Sequence, residues 1–263
     1  MSHWRTRVAL PVVIVALIAA TAGVWALGRE AETPVATVRV VASHPHDPTA
    51  FTQGLVIRDG RLYESTGIYG QSSIREVDLK SGATIRSVPL DRTLFGEGMT
   101  ILNGELFFVT WKGHIAYVLD PATFEVKRSF HYGGEGWGLT DDGAHLILSD
   151  GSATLRSLDP KTGEVIKRLT VREAGRPIDN LNELEFVEDE ILANIWRSDR
   201  IARISPKTGE VLGWIDASAL RGFVELENPR EDVLNGIAYD AQTKGLYLTG
   251  KRWPKLFEVE IAP

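Results

Sequence analysis

Five times along the 263-residue chain a short extended unit opens on nearly the same phrase. The openings are Phe51-Thr52-Gln53-Gly54-Leu55, Phe95-Gly96-Glu97-Gly98-Met99, Glu135-Gly136-Trp137-Gly138-Leu139, Leu181-Asn182-Glu183-Leu184-Glu185 and Leu234-Asn235-Gly236-Ile237-Ala238. After each come a turn and an apolar, strand-like run, often followed by a second turn and strand. The middle units close on similar text: Asp120-Pro121-Ala122-Thr123-Phe124, Asp159-Pro160-Lys161-Thr162-Gly163 and Ser205-Pro206-Lys207-Thr208-Gly209. Self-similarity at about forty residues per unit is the mark of a β-propeller, in which each unit is one four-stranded blade. The innermost strand of a blade faces the axis. Opening strands in that position would bring Gln53, Glu97, Trp137 and Asn182 to one pocket.

Turn chemistry supports the strand assignment. Asp59-Gly60 and Asn103-Gly104 each stand between two apolar runs, the pattern of a tight hairpin. Short stretches near Glu173 and Ser218 are the places expected to hold a single helical turn. The last unit is one strand short when the chain ends, whereas residues 36–43 precede the first unit and alternate as a strand should. Pairing that strand with the last unit would close the ring and remove exposed edges. The expectation is therefore an all-β, five-bladed β-propeller over 36–263, preceded by a linker at 29–35 and one apolar helix within residues 1–28.

Val8 to Leu27 carries no charge, follows Arg5 and Arg7, and precedes Arg29 and Glu30. Its length matches a bilayer core, and the basic flank keeps the N-terminal side in the cytoplasm. Ala20-Thr21-Ala22 resembles a cleavage site, so the stretch reads either as a cleaved secretory signal or as a retained anchor. Both place the domain outside the cytoplasm, periplasmic or secreted, touching a membrane only through residues 8–27 if these are kept.

With 29 basic and 35 acidic residues and no basic run, nothing recommends nucleic acid as a partner. The absence of cysteine excludes disulfides, thiolate metal sites and a thiol nucleophile. His44, His46 and Asp47 lie close together, but no third histidine has a related spacing, so no metal site and no cofactor is expected.

The runs HDPTAFTQGL (46–55), FGEGMTIL (95–102), GEGWGLT (134–140), LNELEF (181–186), ANIW (193–196) and LNGIAY (234–239) resemble, in order, the plant-type glutaminyl cyclases, or glutamine cyclotransferases. The resemblance spans about His46 to Ile261. It implies a five-bladed propeller that converts an N-terminal glutaminyl residue of a peptide into pyroglutamate and releases ammonia. It further implies a pocket at the axis lined by Phe51, Gln53 and Phe95, with aromatic walls from Trp111, Trp137 and Trp196. Glu97 would be the central acid, and Asn182 and Lys251 would supply hydrogen bonds.

The chemistry is consistent with those residue types. The substrate's α-amine attacks its own γ-carboxamide carbon, so one carboxylate near both nitrogens can take the amine proton and return it to the leaving ammonia. Glu97 lies between Gly96 and Gly98, where missing side chains leave room for a ligand. Asn182 or Lys251 can donate to the developing oxyanion. Two rival readings use the same pocket: a non-catalytic peptide-binding propeller, and a calcium-dependent propeller lactonase. The second would want several inward carboxylates, and the expected axis set holds one. The partners expected are peptides or proteins with N-terminal Gln, and the chain is expected to act as a monomer.

Overall fold

Two-residue turns set the register of the first two units. Asp59 and Gly60 take φ of 53° and 72°, and Asn103 and Gly104 take 52° and 74°. Paired left-handed residues make the type I′ turn, whose twist matches that of antiparallel strands. The computed structural model describes Met1 and residues 32–262, so the apolar stretch 8–27 and its expected helix lie outside the described residues.

The described chain begins with strand β1 (Val35–Pro45). The first unit is β2 (Thr52–Arg58), β3 (Arg61–Thr66), β4 (Ser73–Val77) and β5 (Thr84–Pro89). The second is β6 (Gly96–Leu102), β7 (Glu105–Thr110), β8 (Ile115–Leu119) and β9 (Val126–His131). The third is β10 (Leu139–Asp141), β11 (Leu146–Leu148), β12 (Thr154–Leu158) and β13 (Val165–Thr170). A hairpin of β14 (Arg172–Glu173) and β15 (Arg176–Pro177) follows, where a helical turn was expected near Glu173. Ala174 and Gly175, at φ of 46° and 75°, form a tight turn that no right-handed helix can contain. The fourth unit is β16 (Leu181–Val187), β17 (Glu190–Ile195), β18 (Arg200–Ile204) and β19 (Val211–Asp216). A short 3₁₀ helix at Ser218–Phe223 then leads to β20 (Leu234–Asp240), β21 (Gly245–Gly250) and β22 (Lys255–Ala262).

Strand β1 supplies what the last unit lacks. It runs antiparallel to β22 from Thr37↔Ala262 to Pro45↔Lys255, and its first residues pair in parallel with β19. The fourth and fifth units thereby share one eight-stranded sheet, while the first three are four-stranded sheets of their own.

Burial falls from the axis outward. Strands β2 and β6 are buried almost throughout, whereas β5 and β9 are largely exposed. The opening strands meet one another: β2 packs against β6 and β20, β10 against β6 and β16, and β16 against β20. Apolar clusters fill each gap between successive units. Val56, Tyr63 and Ile74 of the first unit pack with Met99, Ile101 and Phe108 of the second. Leu55, Ile57 and Leu62 close the circle against Ala238, Tyr247 and Leu256 of the last. The result is a propeller-like ring whose innermost strands carry four of the five repeated phrases.

Candidate active site

Four of the units carry one residue too many in their first strand. Thr52 faces Thr66 and Gly54 faces Ser65, which leaves Gln53 without an opposite number. The same one-residue excess lies between Gly96 and Met99, between Leu181 and Leu184, and between Leu234 and Ile237. A bulge of this kind re-aims a side chain that strict alternation would commit to packing. The residues concerned include Gln53, Glu97, Asn182 and Asn235, all buried.

A recurring backbone bond fixes the residue just past each second strand. The N–H groups of Gly67, Trp111, Trp196 and Lys251 donate to the carbonyls of Phe51, Phe95, Asn180 and Val233 at 2.8, 3.0, 2.9 and 2.9 Å. Each acceptor lies two positions before the bulge residue of its own unit. One bulge residue and one strand-end residue therefore reach the same end of the ring from each of these four units.

All of these except Asn235 and Gly67 line a cavity of about 330 Å³, near the small end of ligand-sized pockets. Its lining comprises Phe51, Gln53, Phe95, Glu97, Trp111, Trp137, Asn182, Trp196 and Lys251, the full expected set, together with Ile68 and Glu231. Sequence reasoning missed those last two, which lie in loops outside the repeated phrases. It also missed Asn235. Asn182 Nδ2 donates to Asn235 Oδ1 at 2.7 Å, and Asn235 Nδ2 donates to Thr52 O at 2.9 Å and to Gln53 Oε1 at 3.4 Å. Its signal was present, since Leu234-Asn235 repeats Leu181-Asn182.

The glycines beside Glu97 have a different purpose from the one expected. A Cβ on Gly98 would collide with the backbone of Trp137, Gly138 and Leu139, and one on Gly96 would collide with Thr66 O. The space they leave is taken by neighbouring backbone and not by a ligand. Trp137 also departs from expectation. It lies in the irregular segment before β10, not on an innermost strand, and is held by Trp137 N to Ser149 O at 3.0 Å and Gly98 N to Trp137 O at 2.6 Å.

Glu97 and Lys251 are each 5% exposed. Among the described residues neither their carboxylate nor their ammonium has a hydrogen-bond partner. Burial pushes the Glu97 carboxyl well above the usual carboxylate range; the Lys251 charge opposes that shift and the Glu135 charge adds to it. Burial lowers Lys251 to about 8 against the pull of Glu97 and Glu231. Lys251 Nζ stands 4.8 Å from the Phe51 ring centroid. Titratable groups displaced in this way inside a cavity mark functional sites.

His46, which offered a metal-like ligand in sequence, has both ring nitrogens engaged. Nδ1 lies 2.7 Å from Trp253 O and Nε2 lies 3.1 Å from Glu64 Oε1, with Arg75 bridging Glu64 to Asp47.

The description "Glutamine cyclotransferase" belongs to the family model that matches residues 12–261. The chain is a member of that family. It is 46% identical over 227 residues to the glutaminyl-peptide cyclotransferase of Arabidopsis thaliana, covering 85% of this chain and 71% of the relative. The crystal structure of Myxococcus xanthus glutaminyl cyclase superposes with a TM-score of 0.83 at 36% identity, covering 88% of this chain and 99% of that one. For a glutamine cyclotransferase, the arrangement offers one unpaired acid, one unpaired cation and aromatic walls around a space suited to a flat amide.

Proposed function

We propose that this chain is a glutaminyl-peptide cyclotransferase that uses Glu97 as its single proton carrier and needs no metal ion. The substrate's N-terminal glutaminyl side chain enters between Trp111, Trp137 and Trp196, with Phe51, Gln53 and Phe95 completing the lining. Its α-amine attacks the γ-carbonyl carbon, forming the C–N bond of a five-membered ring. Glu97 takes a proton from that nitrogen and returns it to the departing amide nitrogen, which leaves as ammonia. Lys251 and the second Nδ2 hydrogen of Asn182 donate to the oxyanion between the two steps. The aromatic walls exclude water, which would otherwise yield glutamate. A raised carboxyl suits this exchange, because an acid–base group works best with its pKa near the operating pH.

The unpaired Glu97 carboxylate in an aromatic-walled cavity carries this reading. The test is incubation of the purified full chain with a Gln-initiated dipeptide. Ammonia and pyroglutamyl product are expected in equal amounts, before and after dialysis against a strong chelator. Glutamyl product, or turnover lost on dialysis and restored by zinc, would overturn it.

The five units are read as five blades, the eight-stranded sheet being two blades joined between β19 and β1. Residues 1–28 act as signal or anchor, 29–35 as linker and 36–263 as a monomeric catalytic domain outside the cytoplasm. Recovery of the full chain from the cytosol of its native cell would contradict that placement, and a sedimentation mass of a dimer would contradict the monomer.

A further inference from the structure

Two aromatic groups wall the cavity. Phe95 stands edge-on to Phe51, Tyr69 and Trp111 at centroid distances of 6.3, 5.3 and 5.5 Å. Trp137 and Trp196 form a separate edge-to-face pair at 5.6 Å. Among the described residues no ring–ring contact joins the two groups.

Glu135 spans the gap. Its Oε2 accepts the Trp111 indole N–H at 2.7 Å and the Trp137 indole N–H at 3.0 Å. Its Oε1 lies 3.7 Å from Lys112 Nζ, and that ammonium stands 4.0 Å from the Trp111 ring centroid. Glu135 is not part of the cavity lining; it holds the indoles from outside it. Its own backbone is anchored by Arg156, which donates to Glu135 O at 2.7 Å, and the next residue ties back to the same wall, Gly136 N donating to Trp111 O at 3.1 Å. The two indoles and Lys112 keep the carboxyl below its ordinary range although burial resists this.

An indole has a single N–H donor. Either donor, if turned inward, would compete with Lys251 and Asn182 for the substrate's amide oxygen and draw the side chain away from the geometry they set for attack. Bonds to an ionised carboxylate are roughly twice as strong as neutral ones. One anion outside the cavity can therefore hold both donors away from it.

We propose that Glu135 is a positioning residue that ties Trp111 and Trp137 into one rigid wall and keeps their N–H groups off the bound glutaminyl side chain. The inference rests on the cyclotransferase reading of this cavity. Glu135 touches no reacting atom; its removal acts chiefly on how well the side chain is held, and also takes away the lesser of the influences that raise the Glu97 carboxyl.

The test compares full-chain Glu135→Ala and Glu135→Gln with the unaltered protein. Glu135→Ala removes both indole bonds and should raise KM for a Gln-initiated dipeptide about tenfold, while kcat changes much less. Tryptophan emission should shift to the red as the two indoles gain water. Glu135→Gln, whose amide oxygen still accepts an indole N–H, should restore most of both. A residue with only a structural role would lower the melting temperature and reduce kcat and active fraction, without that split and without rescue. Unchanged KM and emission in Glu135→Ala, or equal damage in the Ala and Gln variants, would overturn the proposal. If Glu135→Ala does not fold, Glu135→Leu, which fills the space but accepts no hydrogen bond, takes its place, and KM and emission identical to those of Glu135→Gln count against the proposal. The emission measurements need no turnover, so they test the tie to the indoles even if the proposed reaction fails.

Discussion

In the third unit β10 and β11 are three residues each and pair from Leu139↔Leu148 to Asp141↔Leu146 without a register shift. In the other four units the first strand carries a bulge at the cavity end, and from it come Gln53, Glu97, Asn182 and Asn235. The third unit instead delivers Trp137 from the segment before its strand. The bulged residues are polar and sit in a frame of strand pairing on both sides, which fixes an atom to the tolerance that acid–base chemistry needs. Trp137 presents a broad apolar face and depends on outside support from Glu135, from the Trp196 ring and from Gly151, where a Cβ would strike the indole. Under the proposed mechanism Glu97 and Asn182 ride on bulges and Lys251 on a strand end, whereas the Trp137 wall rides on a loop.

The deepest loss should follow from altering a bulge residue. Glu97→Gln keeps the size of the side chain but cannot accept a proton, so kcat should fall about 10²–10⁴-fold with KM nearly unchanged. Asn182→Ala removes a proposed oxyanion donor and should cost about 10²–10³-fold in kcat. The loop-borne wall should behave differently: Trp137→Ala is expected to raise KM roughly tenfold or more, the value of burying one large apolar side chain, and to spare kcat. A kcat loss in Trp137→Ala as deep as that in Glu97→Gln would erase the distinction between the two kinds of unit.

Stability supplies a smaller contrast. Gly98→Ala pushes a methyl into the third unit's backbone and should cost about 1–3 kcal/mol by denaturant titration, as overpacking does. Gly133→Ala, with nothing within 4 Å of the new methyl, should stay within about 0.5 kcal/mol. The mildest effect concerns pH. Lys251 is lowered to about 8, so its positive charge is lost as pH rises through that value and kcat/KM should decline on the alkaline side. Arginine stays protonated, so Lys251→Arg should carry the plateau to higher pH even if its height drops. An alkaline limb that Lys251→Arg leaves in place would assign the limb to another group, such as the substrate.

Much of this was legible in the chain because it is local. Asp59-Gly60 and Asn103-Gly104 encode their own backbone angles, and four of the five repeated phrases mark the innermost strands directly. The closing strand could be read by counting what the last unit lacked. The bulges could not be read, since an extra residue is defined only against its partner strand. Gly98 was misread for the same reason: its neighbour is the backbone of Trp137 to Leu139, in another unit. Ala174-Gly175 holds a hairpin where a helical turn was expected because Ala, which normally favours helix, is there forced to positive φ. Glu231 and Ile68 lie in stretches with no counterpart elsewhere in the chain, so nothing repeated pointed to them.

The junction between β1 and β22 has a consequence for timing. Arg252 N donates to Ala50 O and His46 N to Pro254 O, while the bond from His46 to Trp253 O joins positions 207 apart in sequence. Phe51 and Lys251, from the first and last units, share one side of the cavity. Contacts of such separation form late, after the loop-closure entropy of the intervening chain has been overcome. A chain still emerging from the ribosome can hold Glu97 in a folded sheet with three tryptophans beside it and yet lack the side of the cavity that Phe51 and Lys251 share. Catalytic competence therefore arrives in one step, with the last strand.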